Sequence, residues 1–142
     1  TDTAAEMLVK LGADIRARDS TGTTPLHAFA AKGHTNALKA AIHLGKADVN
    51  ATTKHQQTPL HLASQNGHTE AASLLMYAGA FPDAADAEGM RPLHHVAKHG
   101  HAALCQLLLP HVIDPSAPAK DCWRPLHHAA QQGQADVVRA LL

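Results

Sequence analysis

The chain has 142 residues, and its twelve acidic and twelve basic side chains cancel when histidine is neutral, so bulk charge draws it to neither nucleic acid nor an anionic membrane. Hydrophobic residues make up 45% but aromatic ones only 3%, a balance of small side chains that suits closely packed short helices rather than one bulky core. Two cysteines, Cys105 and Cys122, rule out a disulfide framework and a zinc knuckle. No apolar run approaches the roughly 18–20 residues of a membrane span, and no signal peptide opens the chain, so a soluble, intracellular and cytoplasmic protein is expected.

Taken in chain order, the signals recur. Residues 1–11 carry apolar side chains at Ala4, Ala5, Leu8 and Val9, one helical stripe, and Gly12 ends it. A polar stretch leads to "TTPLHAFAAKGH", ending at His34, in which Thr24 is placed to cap and Pro25 to open a short helix that stops at Gly33. A second helix follows on the same stripe (Ala37, Leu38, Ala41, Ile42), with a stop at Gly45. The sequence then runs through this order again: "QTPLHLASQNGH" to His68 with Ala71, Ala72, Leu75 and Met76, stopping at Gly79. "MRPLHHVAKHGH" to His101 precedes Leu104, Cys105, Leu108 and Leu109. "WRPLHHAAQQGQ" to Gln134 precedes Val137, Val138, Leu141 and Leu142. The glycines at 33, 67, 100 and 133 set a period of 34, 33 and 33, and the extra residue is Lys46, in a connection where stacked units tolerate insertion. Pro110, Pro115 and Pro118 predict a stiff, irregular connection between the last two units.

The period and the four Thr/Arg-Pro-Leu-His signatures resemble the ankyrin repeat, and the resemblance covers essentially the whole chain. It implies an all-α solenoid of stacked helix-turn-helix units with β-hairpin fingers between neighbours. One domain is expected over 1–142, with the end of a repeat at 1–18, full repeats at 19–52, 53–85 and 86–118, and a truncated repeat at 119–142. Neither end shows a polar capping face, which suggests a window from a longer array or a larger protein. The resemblance also implies that His27, His61, His94 and His127 hydrogen-bond backbone around the neighbouring hairpins. His34, His68 and His101, after the glycines, are expected to bridge the two helices of a unit.

Departures from the pattern mark positions of interest. Arg91 and Arg124 replace the capping threonine and put its hydrogen bond to His94 or His127 in doubt; Glu88 and Asp121, three residues earlier, are expected ion partners. Gln56 and Cys122 stand where Gly22 and Gly89 do, which predicts strained or reshaped fingers. Phe29 replaces a customary alanine. His95 and His99 share a helix face, with His128 one unit later; an exposed polar face is expected, against a zinc site lacking an obvious fourth ligand.

No nucleophile elbow, H-E-x-x-H or phosphate loop is present, and Cys105 falls in the apolar stripe; no catalytic, metal or cofactor role is assigned. The family usually meets partners through the finger turns and the two residues before each glycine. Carried across, this implies partner-binding by Lys32, His55, Gln57, Gln65, Asn66, Met90, Lys98, His99, Trp123, Gln131 and Gln132. Trp123, the single tryptophan, is either a partner anchor or packed on the Pro110–Pro118 segment or a further repeat. Two weaker signals are "PSAP" at 115–118, which resembles a late-domain ligand, and Asn50, which resembles an ankyrin asparagine open to hydroxylation. The function expected is a monomeric, non-catalytic protein–protein interaction module with no nucleic-acid or direct membrane binding. The alternative is an intramolecular regulatory or scaffolding array of a larger channel, kinase or acyltransferase.

Overall fold

The computed structural model describes residues 1–44 and 47–142; the helix stop expected at Gly45 and the inserted Lys46 lie outside them. Helix α1 (Asp2–Lys10) is followed by four helix pairs: α2 (Pro25–Lys32) with α3 (Thr35–His43), α4 (Pro59–Asn66) with α5 (Thr69–Tyr77), α6 (Pro92–His99) with α7 (Ala102–Leu108), and α8 (Pro125–Gln131) with α9 (Ala135–Leu141). The first helix of each pair opens on its proline, where the missing N–H is not needed. Two rows result. Helices α2, α4, α6 and α8 pack in sequence as the first-helix row, and α1, α3, α5, α7 and α9 as the second.

The glycine between paired helices is required twice over. Gly67 has φ +73, and a Cβ there would stand 2.5 Å from Nδ1 of His101. The ring of one unit thus lies against the turn of the unit before it, and only a glycine leaves room.

The core runs along the stack rather than filling a centre. Leu26, Leu38, Leu60, Leu75, Leu104 and Leu108 are fully buried, and alanines such as Ala30, Ala63, Ala72 and Ala97 let neighbouring helices approach closely. The expected stripe is buried in the middle of the array but only in part at its edges, where Val9 and Val137 are covered and their stripe neighbours are not. Leu8 is 58% and Leu142 88% exposed, since no described helix packs on their outer side. Phe29 is accommodated, half-buried against the core. The proline-rich connection is irregular as expected, α7 running into a 3-10 turn at Leu109–His111.

The fingers are shorter than β-hairpins. No strand occurs among the described residues, and each finger closes with one rung: Asp19 N–H to Thr23 O, Thr53 to Gln57, Asp86 to Met90, and Ala119 to Trp123, at 2.8–3.0 Å. A second rung cannot follow, because the chain turns into a helix whose first residue is proline and has no N–H to donate. Adjacent fingers are linked by Lys54 N–H to Thr21 O, Ala87 to His55 and Lys120 to Glu88. Gln56 and Cys122 hold the left-handed conformation of Gly22 and Gly89, with φ 58 and 65. Those turns keep their shape and carry strain on the order of 1 kcal/mol.

Candidate partner-binding face

A ladder of histidines ties each first helix to the next finger. Nδ1 of His27, His61, His94 and His127 accepts the backbone N–H of Thr24, Thr58, Arg91 and Arg124 at 2.9–3.2 Å. Nε2–H of His27, His61 and His94 donates to the carbonyls of Gln57, Met90 and Trp123 at 3.0–3.3 Å. These bonds require neutral rings protonated on Nε2, and burial above all pushes His61 and His94 down to about 4.

The arginine substitutions cost less order than the sequence suggests. Thr24 and Thr58 hydroxyls lie 2.8 and 2.9 Å from the ring nitrogens of His27 and His61, and that contact is lost at Arg91 and Arg124, but the amide half of the arrangement survives. The expected ion partners are not the observed ones. Arg91 reaches Asp83 at 3.5 Å while Glu88 stays exposed, and Asp121 accepts the Trp123 N–H instead of pairing with Arg124. The histidines after the glycines also act differently from expectation. His68 and His101 bond through Nε2 to Ala31 O and Gln65 O, joining a unit to the one before it rather than bridging its own helices.

The exposed His95–His99 pair expected from the sequence is corrected by the structure. His95 is buried, 7% exposed, with Nε2 2.9 Å from Oδ2 of Asp86, itself 6% exposed. The other Asp86 oxygen accepts the N–H groups of Glu88 and Met90, so one carboxylate organises both finger and helix. His99 remains exposed, its Nδ1–H donating to His95 O at 2.9 Å and its ring stacked on His101. His128 is buried edge-on to His94. Among the described residues no three histidine, cysteine or carboxylate groups are placed to hold a metal ion. Asp86 is the residue that sequence reasoning missed. Its signal was an acid nine positions before a histidine, a combination absent where Asp19 precedes Ala28 and Thr53 precedes Leu62.

The remaining candidates fall into two sets, one at the ends of the first-helix row and one on the fingers. Lys32, Asn66, Lys98, His99, Gln131 and Gln132 are exposed at or just beyond the C-terminal ends of the first-helix row, with Gln65 half-buried beside them. His55 is exposed on its finger, and Gln57, Met90 and Trp123 are half-buried at equivalent finger positions, where their carbonyls accept the ladder bonds. Trp123 leans on its own helix, 5.9 Å from the His127 ring and 5.0 Å from that of His128. Charge is divided between the two rows. Lys10–Glu6, Lys39–Glu70 and Arg139–Asp136 pair on the second-helix row, whereas Lys32, Lys54, Lys98, Lys120 and Arg124 have no carboxylate within 4.0 Å among the described residues.

Other singled-out residues are absorbed by the fold. Cys105 is fully buried and its thiol is pushed up to about 11 by burial. Asn50 bridges to the next connection, accepting from Phe81 N–H and donating to Gly79 O. The "PSAP" segment is turned, with Ala117 buried and its N–H bonded to Asp114 O, and is not the extended strand a peptide ligand needs.

Stacked helix pairs joined by finger turns define a helical repeat solenoid. The family model described as ankyrin repeats (3 copies) matches residues 1–86 and 78–142, and the chain belongs to the ankyrin-repeat family. Comparison with curated proteins yields no match. Ankyrin repeats are generally protein-interaction modules and typically non-catalytic. No helix among the described residues is long and apolar enough to cross a membrane.

Proposed function

We propose that this chain is a non-catalytic module that binds another protein, in extended or loop form, through the finger turns and the exposed ends of the first-helix row. The unit boundaries are those at residues 18/19, 52/53, 85/86 and 118/119. The observation that carries this reading is the division of charge. Lys10, Lys39 and Arg139 on the second row are paired within the fold, and Arg91 pairs with Asp83. Among the described residues Lys32, Lys54, Lys98, Lys120 and Arg124 are exposed with no carboxylate within 4.0 Å; Trp123 and Met90 are half-buried on the fingers. An aromatic anchor among polar neighbours is the composition of a binding hot spot. The module works as a monomer in the cytoplasm, a reducing compartment in which both cysteines stay as thiols.

Selection of peptides against the whole chain, followed by mapping of amide shift changes, tests the proposal. Binding that perturbs the fingers and the ends of α2, α4, α6 and α8, and that weakens about tenfold or more in Trp123→Ala, supports it. Perturbation confined to α3, α5 and α7 overturns it.

A further inference from the structure

His95 and His128 are equivalent residues one 33-residue period apart, and their rings hold the same pose. His95 stands edge-on to His61 at 5.7 Å and 87°, and His128 edge-on to His94 at 6.0 Å and 79°. Both are 7% exposed. In that pose His95 directs Nε2 to Asp86. The residue one period after Asp86 is Ala119, likewise buried. His128 Nε2 is accordingly a buried polar atom with no hydrogen-bond partner, which folded proteins ordinarily avoid. The fourth unit lacks a single carboxyl group at that point.

We propose that a carboxylate of the bound partner supplies it: an aspartate or glutamate side chain of an extended acidic segment enters beside Ala119 and pairs with His128, as Asp86 does with His95. The inference rests on the finger and first-helix face being the partner surface, and it assigns that surface a ligand chemistry. The neighbourhood favours an anion. Lys98, on the preceding first helix, is near enough to act on His128, while Lys120 and Arg124 flank the finger with no carboxylate within 4.0 Å among the described residues. The other groups acting on His128 are Asp121, which favours the imidazolium, and His95 and His127, which with Lys98 oppose it, as does the edge-on His94 if charged; burial is the largest influence and disfavours the charged ring in the free protein. A carboxylate at Nε2 opposes that lowering, so the segment binds more tightly as pH falls through the range in which the bound imidazole gains its proton while the partner carboxylate stays ionised. The indole of Trp123 is tilted against the His128 ring with centroids 5.0 Å apart, which makes the single tryptophan a reporter of this site.

The test titrates the full chain, followed by Trp123 emission, with three decapeptides of alternating glycine with glutamate, glutamine or lysine. The glutamate peptide is expected to bind saturably, about tenfold more tightly near pH 5.5 than near pH 7.5, with the other two silent. His128→Leu, which places there the residue found at Leu62, removes the pH dependence. Ala119→Asp fills the site from within. It raises the His128 titration midpoint seen by NMR and weakens the peptide about tenfold, whereas Ala119→Asn leaves the midpoint near the parent value. An unchanged midpoint in Ala119→Asp, glutamate-peptide binding indifferent to His128→Leu, or no saturable binding overturns the inference. Emission changes with the glutamine or lysine peptide overturn it while the partner-face reading stands. Binding that moves only α3, α5 and α7 amides overturns both.

Discussion

Nε2 of His95 lies 2.9 Å from Oδ2 of Asp86, and this pair fastens the third complete finger to its helix. Because Asp86 also holds the N–H groups of Glu88 and Met90, removing the carboxylate should cost more than removing the ring. Asp86→Ala is expected to destabilise the protein by about 3 kcal/mol and His95→Leu by about 1–2 kcal/mol, with a double-mutant cycle in denaturant giving a coupling of about 1 kcal/mol or more. A coupling near zero would show that the contact contributes nothing.

Acid should loosen the array before it protonates ordinary carboxylates. His61 and His94 titrate at about 4 in the fold against 6.5 when unperturbed, so the unfolded chain binds protons first as pH falls. Their contribution is complete above pH 6.5, declines below it, and is lost by about pH 4, on the order of a few kcal/mol between them. Melting temperatures across this window should fall steadily, and the slope should diminish in His61→Gln.

Gly67→Ala and Gly79→Ala separate backbone strain from steric conflict. Both glycines have positive φ, but a Cβ at Gly79 meets nothing within 4 Å, while at Gly67 it meets the His101 ring. Gly79→Ala should cost about 1 kcal/mol and Gly67→Ala about 1–2 kcal/mol more, with loss of the His101 bond to Gln65 O. Equal costs by urea unfolding would mean that the ring moves aside freely.

Restoring the cap should stabilise the last unit. Arg124 is exposed and has no ion partner among the described residues, and Arg124→Thr places a hydroxyl beside Nδ1 of His127, as Thr58 does for His61. A gain of about 0.5–1 kcal/mol in unfolding free energy is expected. A neutral or negative change would show that the amide–His127 bond already satisfies the turn.

The helices and their order were legible in the residues themselves, and the histidine ladder in the resemblance that they carry. Pro25, Pro59, Pro92 and Pro125 open helices, Gly33, Gly67 and Gly100 close them, and apolar spacing marks the buried stripe; each signal acts within a few residues. The finger shape was not legible, because whether Asp19–Thr23 and its counterparts extend into strands depends on a single rung. Nor were the ionic partners of Arg91 and Asp121, since exposed charges choose among several neighbours at small energy differences.

The sequence by itself determined a repeating helical stack, because that follows from local backbone chemistry and a fixed period, and its resemblance to the ankyrin repeat implied the framework histidines. Only the tertiary structure decided the fate of the second histidine set. His95 was turned inward to a carboxylate in its own finger, His99 was left in solvent, and His128 was buried with its Nε2 unpartnered among the described residues. The cause is that a ring's partner lies across a finger–helix junction, where position in space and not proximity in the chain selects the contact.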